Sequence, residues 1–418
     1  MKTYDDIFQQ LIKAAYHGNL NETIIGIRKS GKAEEEKLEL LLHPENLPPV
    51  VHLEQGKCSC PTGSSPCEVA CLFSAIERDK TGQVIVSSET CVGCARCLDS
   101  CKSGHLVDRK DFIPLFEELN SRKHPVYAMI APAFVGQFTS DVTPGKLRSA
   151  FKQIGFYGMM EVALVADILT LKEAFEFDRA IQNDEDFVLT SCCCPMWVAM
   201  IRKTYHKLIP HMPASVSPMV GCGRVIKRLH PEAKTVFIGP CIAKKAEAKE
   251  PDIRDAVDYV LTFQEISEIF DAAGIDIASL EEDERDHASR GGRIYARTGG
   301  VSTAVSDTLI RLRPDRLIPL RSEQANGIFE CKKMLKDVLN GEIKANFLEG
   351  MGCVGGCVGG PKSLIQVDLA TENVNHYGNE APYDTPADNP FVLQLLDRLG
   401  YSTLETLLSH ESMFTREL

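Results

Sequence analysis

The chain has 418 residues, with 46 lysines and arginines against 58 aspartates and glutamates, for a formal net charge of -12. Hydrophobic residues make up 44% and charged residues 25%, the balance of a globular protein with a sizeable core. The acidic balance argues against nucleic acid or an anionic membrane as the main partner, and no stretch reaches the ~20 apolar residues that span a bilayer.

The N-terminus, MKTYDDIFQQLIKAAYHGN, has one early lysine, then acids, and no apolar run of signal-peptide length, so a cytoplasmic placement is expected. Sixteen cysteines in a reducing compartment point to metal rather than to disulfides. Residues 1–50 read as a helical extension: EEEKLELLL ends near His43-Pro44, and Pro48-Pro49 marks a break. Residues 51–110 form a second unit, in which half of the cysteines fall between positions 58 and 101 and ligation would replace a hydrophobic core. Over residues 111–384 the apolar runs VYAMIAPA, FVLTS, KTVFIGP and KANFLEG read as strands. Helical stretches such as ADILTLKEAFEFDRAI and SDTLIRL separate them, which is an α/β pattern. Residues 385–418 read as a C-terminal helical segment.

Cys91, Cys94, Cys97 and Cys101 spell C-x2-C-x2-C-x3-C, the spacing of a bacterial-type ferredoxin cluster loop. Cys58, Cys60, Cys67 and Cys71 lie upstream; their last gap matches that pattern and their first two do not. Lys102 stands where a proline commonly follows the last such cysteine. A crossed assignment gives one [4Fe–4S] cluster to Cys58, Cys60, Cys67 and Cys101, and a second to Cys91, Cys94, Cys97 and Cys71. The alternative is a pair of zinc sites, which favour paired cysteines at two ends.

Three further motifs sit at the C-terminal ends of the predicted strands, the edge at which open α/β sheets bind ligands. They are TSCCCPMW (Thr190 to Trp197), GPCIAKKAE (Gly239 to Glu247) and EGMGCVGGCVGG (Glu349 to Gly360). Three adjacent cysteines cannot all hold one ion without strain, so at least one of Cys192, Cys193 and Cys194 has another task. The glycines of the third motif permit close backbone approach to a bulky inorganic group.

With one extra cysteine in the first motif, these are the signatures TSCC-P-x-W, PC-x2-K-x2-E and E-x-M-x-C-x2-G-C-x2-G, and the chain resembles the iron-only, or [FeFe], hydrogenases. The resemblance takes in APA at 131–133, SP at 217–218 and TGGV at 298–301. It implies a two-lobed α/β catalytic domain with the active site between two sheets, preceded by a bacterial-ferredoxin-like α+β domain. It also implies an H-cluster: a [4Fe–4S] cube bridged by a thiolate to a di-iron unit with CO, cyanide and a dithiolate. Cys194, Cys241, Cys353 and Cys357 would be the cube ligands, the last of them bridging. Lys244 and Ser217 would donate hydrogen bonds to the di-iron unit, Ala131 and Pro132 would wall it, and Met351 would pack beside it. For Lys244 the alternative is a solvated lysine next to Lys245.

Cys193 resembles the family's proton-transfer cysteine, and Glu173 and Glu176, on one face of a helix, align with its relay glutamates. The relay's arginine would fall at Ala180, beside Arg179, and its serine near Pro213, which has no hydroxyl. Gly239 replaces a frequent methionine, and Cys192 takes a position usually held by serine. Cys192 reads as a small core residue or as a spare thiol that tunes redox or oxygen response. Cys222 and Cys331 read as structural. The implied reaction interconverts 2H⁺ + 2e⁻ with H2, with electrons arriving through two accessory clusters from ferredoxin or flavodoxin. Hydrogenase maturation proteins would supply the di-iron unit, and a monomer is favoured. An iron–sulfur assembly factor of the same fold would not need Lys244, Met351 or Cys193, and a hydrogen sensor would add a signalling domain.

Overall fold

The protein is described from a computed structural model covering residues 2–53, 58, 60, 63–283, 285 and 287–417. Three helices open the chain: α1 (Tyr4–Tyr16), α2 (Leu20–Ser30) and α3 (Lys32–Leu42). Thr3 and Asp6 form a capping box on α1, and Tyr4, Ile7, Phe8, Leu11 and Ile12 bury one stripe. That stripe joins the main hydrophobic core of the α/β unit, so these helices are built into the body.

A small α+β unit follows. Strand β1 (Val50–His52) precedes α4 (Pro66–Ala70), then β2 (Ile76–Arg78), β3 (Val84–Val86), α5 (Arg96–Ser100) and β4 (Leu106–Asp108). β1 pairs antiparallel with β4, and β2 with β3. Val50, Ile76, Val84, Val86 and Leu106 make a separate minor core together with Cys67 and Cys97. Five apolar side chains cannot stabilise such a unit alone, and cysteines occupy the rest of its interior.

Two parallel sheets carry the remainder. The larger contains β5 (Val126–Ile130), β6 (Gly158–Glu161), β8 (Lys234–Gly239) and β9 (Tyr259–Thr262), in the order β6-β5-β8-β9. Its central strands, VYAMI and KTVFIG, read as near-continuous apolar runs because helices cover both faces. The smaller sheet contains β7 (Val188–Leu189), β10 (Ser322–Asn326) and β11 (Phe347–Met351), in the order β10-β11-β7. β10, with the sequence SEQAN, escapes a hydrophobic-pattern reading because it is an edge strand with its first three residues exposed.

Helix α6 (Val162–Ala180) is buried from Val162 to Ala174 at all but one position, so no single apolar face marks it. It packs against the helices at 218–229, 290–294 and 300–312. A helix over Pro390–Arg398, capped by Asn389, and a further turn lead to Phe414, which is fully buried and whose carbonyl accepts from the Val216 N–H. Among the described residues no helix is long and apolar enough to cross a membrane.

Candidate metal centre

The three C-terminal motifs all leave the carboxyl ends of parallel strands. After β7 the chain turns at Ser191, whose φ of 68° lies in the left-handed region. The Cys194 N–H then donates to the Ser191 carbonyl at 3.0 Å, and Pro195 starts the helix Pro195–Lys203 with φ already set. Trp197 is fully buried, and its indole N–H donates to the Thr190 carbonyl at 2.7 Å. A Cβ at Gly350 would meet the Trp197 ring at 2.1 Å, so the tryptophan of the first motif and this glycine of the third are one packing decision.

β8 ends at Gly239 and delivers Cys241, followed by the short helix Ala243–Glu247. Lys244 Nζ donates to Glu247 Oε2 at 2.6 Å, and both side chains are buried. Lys245 turns the other way into a fully buried pair with Glu265 at 2.9 Å, which holds this helix to its neighbour. β11 delivers Met351, Cys353 and Cys357. Glu349 accepts from the Gly299 N–H at 2.7 Å, the Ser302 N–H at 2.8 Å and the Ser302 hydroxyl at 2.6 Å. The third motif is thereby tied to the TGGV segment at the start of the helix Gly300–Leu312.

The strand ends converge on one cavity. Cys194, Cys241, Cys353 and Cys357 line it, and so do Cys193, Lys244 and Met351. Ala131 and Pro132 form part of its wall. Ser217 does not line it: its hydroxyl oxygen caps the helix Pro218–Leu229 by accepting from the Val220 N–H at 3.4 Å, and Pro218 and Met219 reach the cavity instead.

Burial pushes the Cys241 thiol up to about 11 and that of Cys357 to about 12. It carries Cys353 well above its ordinary value, with Cys241 and Cys194 adding to the effect. Thiols so placed ionise only if a strong positive charge arrives among them. Burial also works against the Lys244 ammonium, but Glu247 and the nearby Cys241 and Cys193 hold its pKa above the usual lysine value. A buried cation therefore faces the cavity, ready to donate to an anionic group. The Gly352 N–H already points at Cys194 Sγ, at 3.3 Å. Thiols from three strand ends, a backbone donor to sulfur and a buried ammonium fit an iron–sulfur group that carries anionic ligands.

On the far side of the first motif, Glu173 is buried and accepts from the Thr190 hydroxyl. The Cys192 Sγ lies 3.5 Å from Glu173 Oε1 and 3.3 Å from the Val216 carbonyl. Cys192 is thus buried, as a core side chain would be, and its thiol also reaches the Glu173 carboxylate. Burial raises the Glu173 carboxyl to about 7, with nearby Glu176 adding to the effect. Glu176 is part-exposed and bonds Lys172, one turn earlier, at 2.5 Å. Both glutamates, Thr190, Arg179 and His211 line a second, solvent-facing pocket. Pro213 lies on that pocket wall, and Ala180 lines it beside Arg179.

The N-terminal cysteines fall into two groups. Cys71, Cys91, Cys94 and Cys97 line one small cavity in the α+β unit. Burial raises Cys91 to about 11 and Cys97 to about 12, and the neighbouring thiols of this group add to both. The Cys60 thiol is raised by a hydrogen bond to Cys58 and by Cys67 and Cys101. Cys94 also contributes to the rise at Cys353, so the first group borders the cavity of the three motifs. Cys222 and Cys331 are fully buried, and the Cys331 thiol donates to the Met351 carbonyl at 3.4 Å.

Fold and site together define an α/β protein whose parallel strands deliver thiols to a buried cavity. The chain belongs to the iron-only hydrogenase large-subunit family, whose C-terminal domain matches residues 124–361. It is 30% identical over 292 residues to iron hydrogenase 1 of Clostridium pasteurianum, a match spanning 58% of this chain and 50% of that protein's length. It is 28% identical to the periplasmic [Fe] hydrogenase large subunit of Nitratidesulfovibrio vulgaris, over 78% of this chain and 90% of that protein. Cytosolic iron-sulfur assembly component 3 of Pongo abelii is 24% identical, over 72% and 78%. A solved variant of the [FeFe]-hydrogenase HydA1 from Chlamydomonas reinhardtii shares the fold, with a TM-score of 0.57 at 21% identity, over 72% of this chain and 97% of that one.

Residues that pattern reading passed over also stand at the site. Lys172 and Ser215 bond each other beside Glu176. Tyr295 lines the cavity and accepts from the Thr170 hydroxyl at 2.8 Å. The only sequence signal for Lys172 is that it adjoins Glu173; Ser215 and Tyr295 carry none.

Proposed function

We propose that this protein is a hydrogenase that interconverts 2H⁺ + 2e⁻ with H2 at an H-cluster. Cys194, Cys241, Cys353 and Cys357 would hold the cube, with Cys357 bridging to the di-iron unit. Two accessory [4Fe–4S] clusters would be held by Cys71, Cys91, Cys94 and Cys97 and by Cys58, Cys60, Cys67 and Cys101. The single observation that carries this reading is that Cys193, Lys244 and Met351 line the same cavity as the four ligands. A cube alone would need none of them, and this favours a hydrogenase over an assembly component.

When bound, the group supplies the redox chemistry of hydrogen, and the protein binds, orients and moves protons around it. Lys244 Nζ, held by Glu247, would donate to a cyanide ligand. Cys193 Sγ would hold a proton at the cavity, exchanging it towards Cys192 and Glu173. Glu173 Oε1 and Oε2, bonded by Cys192 and Thr190, would pass it to the solvent-facing pocket through Glu176. Ser217, whose oxygen caps the helix Pro218–Leu229 outside the cavity lining, would have its hydroxyl proton left to donate towards the same di-iron unit. Ala131, Pro132 and Met351 would exclude water.

The α+β unit reads as a ferredoxin-like domain over 51–110, between a helical segment 1–50 and a catalytic domain 111–384 with its tail 385–418. Ferredoxin or flavodoxin would be the electron partner, in the cytoplasm, with no nucleic acid or membrane engaged and a monomer favoured. Maturation proteins would install the di-iron unit. The test is an infrared spectrum and a reduced-viologen assay on protein made with that maturation machinery. CO and cyanide bands together with hydrogen evolution support the reading; the lack of both sinks it.

A further inference from the structure

The proposed proton route would have a gap at Pro213, where the resemblance puts a relay serine and the chain has no hydroxyl. Beside that gap lies a buried lysine. Lys172 is only 1% exposed, yet its ammonium has three acceptors. It donates to Glu176 Oε1 at 2.5 Å, to the Ala214 carbonyl at 2.8 Å and to Ser215 Oγ at 2.8 Å. Its three donors are therefore satisfied, which a buried ammonium requires. Ser215 Oγ, having accepted from lysine, directs its own proton to Glu176 Oε2 at 3.4 Å. The result is a closed ring of ammonium, hydroxyl and carboxylate.

This ring sits on the wall of the solvent-facing pocket, which is lined by Glu173 and Glu176 together. Val216, one residue beyond Ser215, offers its carbonyl to the Cys192 thiol. The segment that Lys172 grips thus also touches the inner end of the route.

We propose that Lys172 is a positioning residue for proton entry: it closes a ring with Ser215 and Glu176 that fixes the outer carboxylate. The assignment rests on the hydrogenase reading for its purpose and on geometry for its form. The proton enters at Glu176, and the Ser215 hydroxyl, by donating to Glu176 Oε2, helps hold that carboxylate in place. The charge of Lys172 also acts on Glu173, lowering that group's proton affinity against the opposing effects of burial and Glu176. The other titratable or charged groups around the pair are Cys192 on the motif loop, Tyr295 on the cavity wall, and Arg179 and His211 on the pocket. None of these bonds the ring atoms among the described hydrogen bonds.

The experiment compares wild type, Lys172→Met, Lys172→Arg and Ser215→Ala as loaded full-length protein. The first readout is the Glu173 carboxyl stretch titrated by infrared difference spectroscopy, with Glu173→Gln to assign the band. Removing the cation in Lys172→Met raises the Glu173 midpoint by about one pH unit, and Lys172→Arg returns it towards wild type. The second readout is hydrogen evolution in H2O and D2O. Lys172→Met and Ser215→Ala each lose at least about tenfold in rate with a larger solvent isotope effect, and Lys172→Arg recovers most of it.

An unmoved Glu173 midpoint in a folded Lys172→Met overturns the proposal, and so does a Ser215→Ala with wild-type rate and isotope effect. Equal losses in Lys172→Met and Lys172→Arg also overturn it, since that pattern marks a cross-link whose charge is immaterial. If Lys172→Met does not fold, Ser215→Ala decides alone, because it opens the ring without leaving a charge unpaired. Failure of the hydrogenase reading shows separately, as a wild type without CO and cyanide bands or hydrogen evolution.

Discussion

Glu349→Gln tests how the third motif is held. The carboxylate accepts from the Gly299 N–H on one oxygen, and from the Ser302 N–H and hydroxyl on the other. A glutamine has one carbonyl oxygen. Turned either way, its NH2 faces an N–H donor, at Gly299 or at Ser302. At least one charge-assisted bond is lost, and a buried donor is left facing another. Bonds to charged groups contribute about 1.5–3 kcal/mol each, and an unsatisfied buried donor costs about 1–3 kcal/mol. Burial raises the Glu349 pKa and those same bonds oppose the rise, so part of the charge benefit is already spent on desolvation. The net expectation is a loss of about 2–4 kcal/mol. The assay is denaturant unfolding of the catalytic unit, read at the buried Trp197 fluorescence, with iron content measured in parallel. Because Trp197 packs on Gly350, next to the substituted residue, its signal reports the region directly. A variant with wild-type midpoint and wild-type iron content would refute the claim that Glu349 anchors the motif.

Lys244→Met leaves Glu247 buried without its cation and costs about 3–5 kcal/mol; the double change with Glu247→Gln recovers most of this, as unfolding midpoints will read. Cys193→Ser keeps the four ligands and hence wild-type iron content, but lowers hydrogen evolution about a hundredfold; equal rates would remove Cys193 from the proton route. Burial raises the Glu173 carboxyl to about 7 from the ordinary glutamate value of 4.5, so the folded state binds this proton more tightly than the unfolded chain. Its contribution is fully present below the lower value and is lost as pH rises through the higher, a difference of roughly 3 kcal/mol. Glu173→Gln therefore flattens the fall in stability between those two values, and parallel pH–stability curves for variant and wild type would contradict this.

The site was legible where metal chemistry dictates spacing. Cys194, Cys241, Cys353 and Cys357 announce themselves because few other tasks need cysteines directly after buried strands. The strands themselves were legible as apolar runs, since a parallel sheet covered on both faces buries nearly every side chain. What stayed hidden depends on partners distant in the chain. Nothing near Glu349 says that it caps the start of the helix Gly300–Leu312, and nothing near Lys172 says that Ser215 meets it. β10 was hidden by being a polar edge strand. The α1 pattern announces a helix but not that its stripe joins the main core. Ser217 shows the converse, a motif residue whose backbone task only the fold reveals.

Gly93 bears on how separable the α+β unit and the α/β unit are. A Cβ there would lie 3.0 Å from the Ile242 carbonyl oxygen and from the Ala243 Cα, beside the second motif. The loop at 91–94 is thus laid backbone to backbone against the segment that presents Cys241 and Lys244. A foreign electron-transfer module grafted onto this catalytic unit must carry glycine at that one point, whatever else it brings. Any side chain larger than hydrogen would wedge the incoming loop outward and lengthen the gap that electrons have to cross.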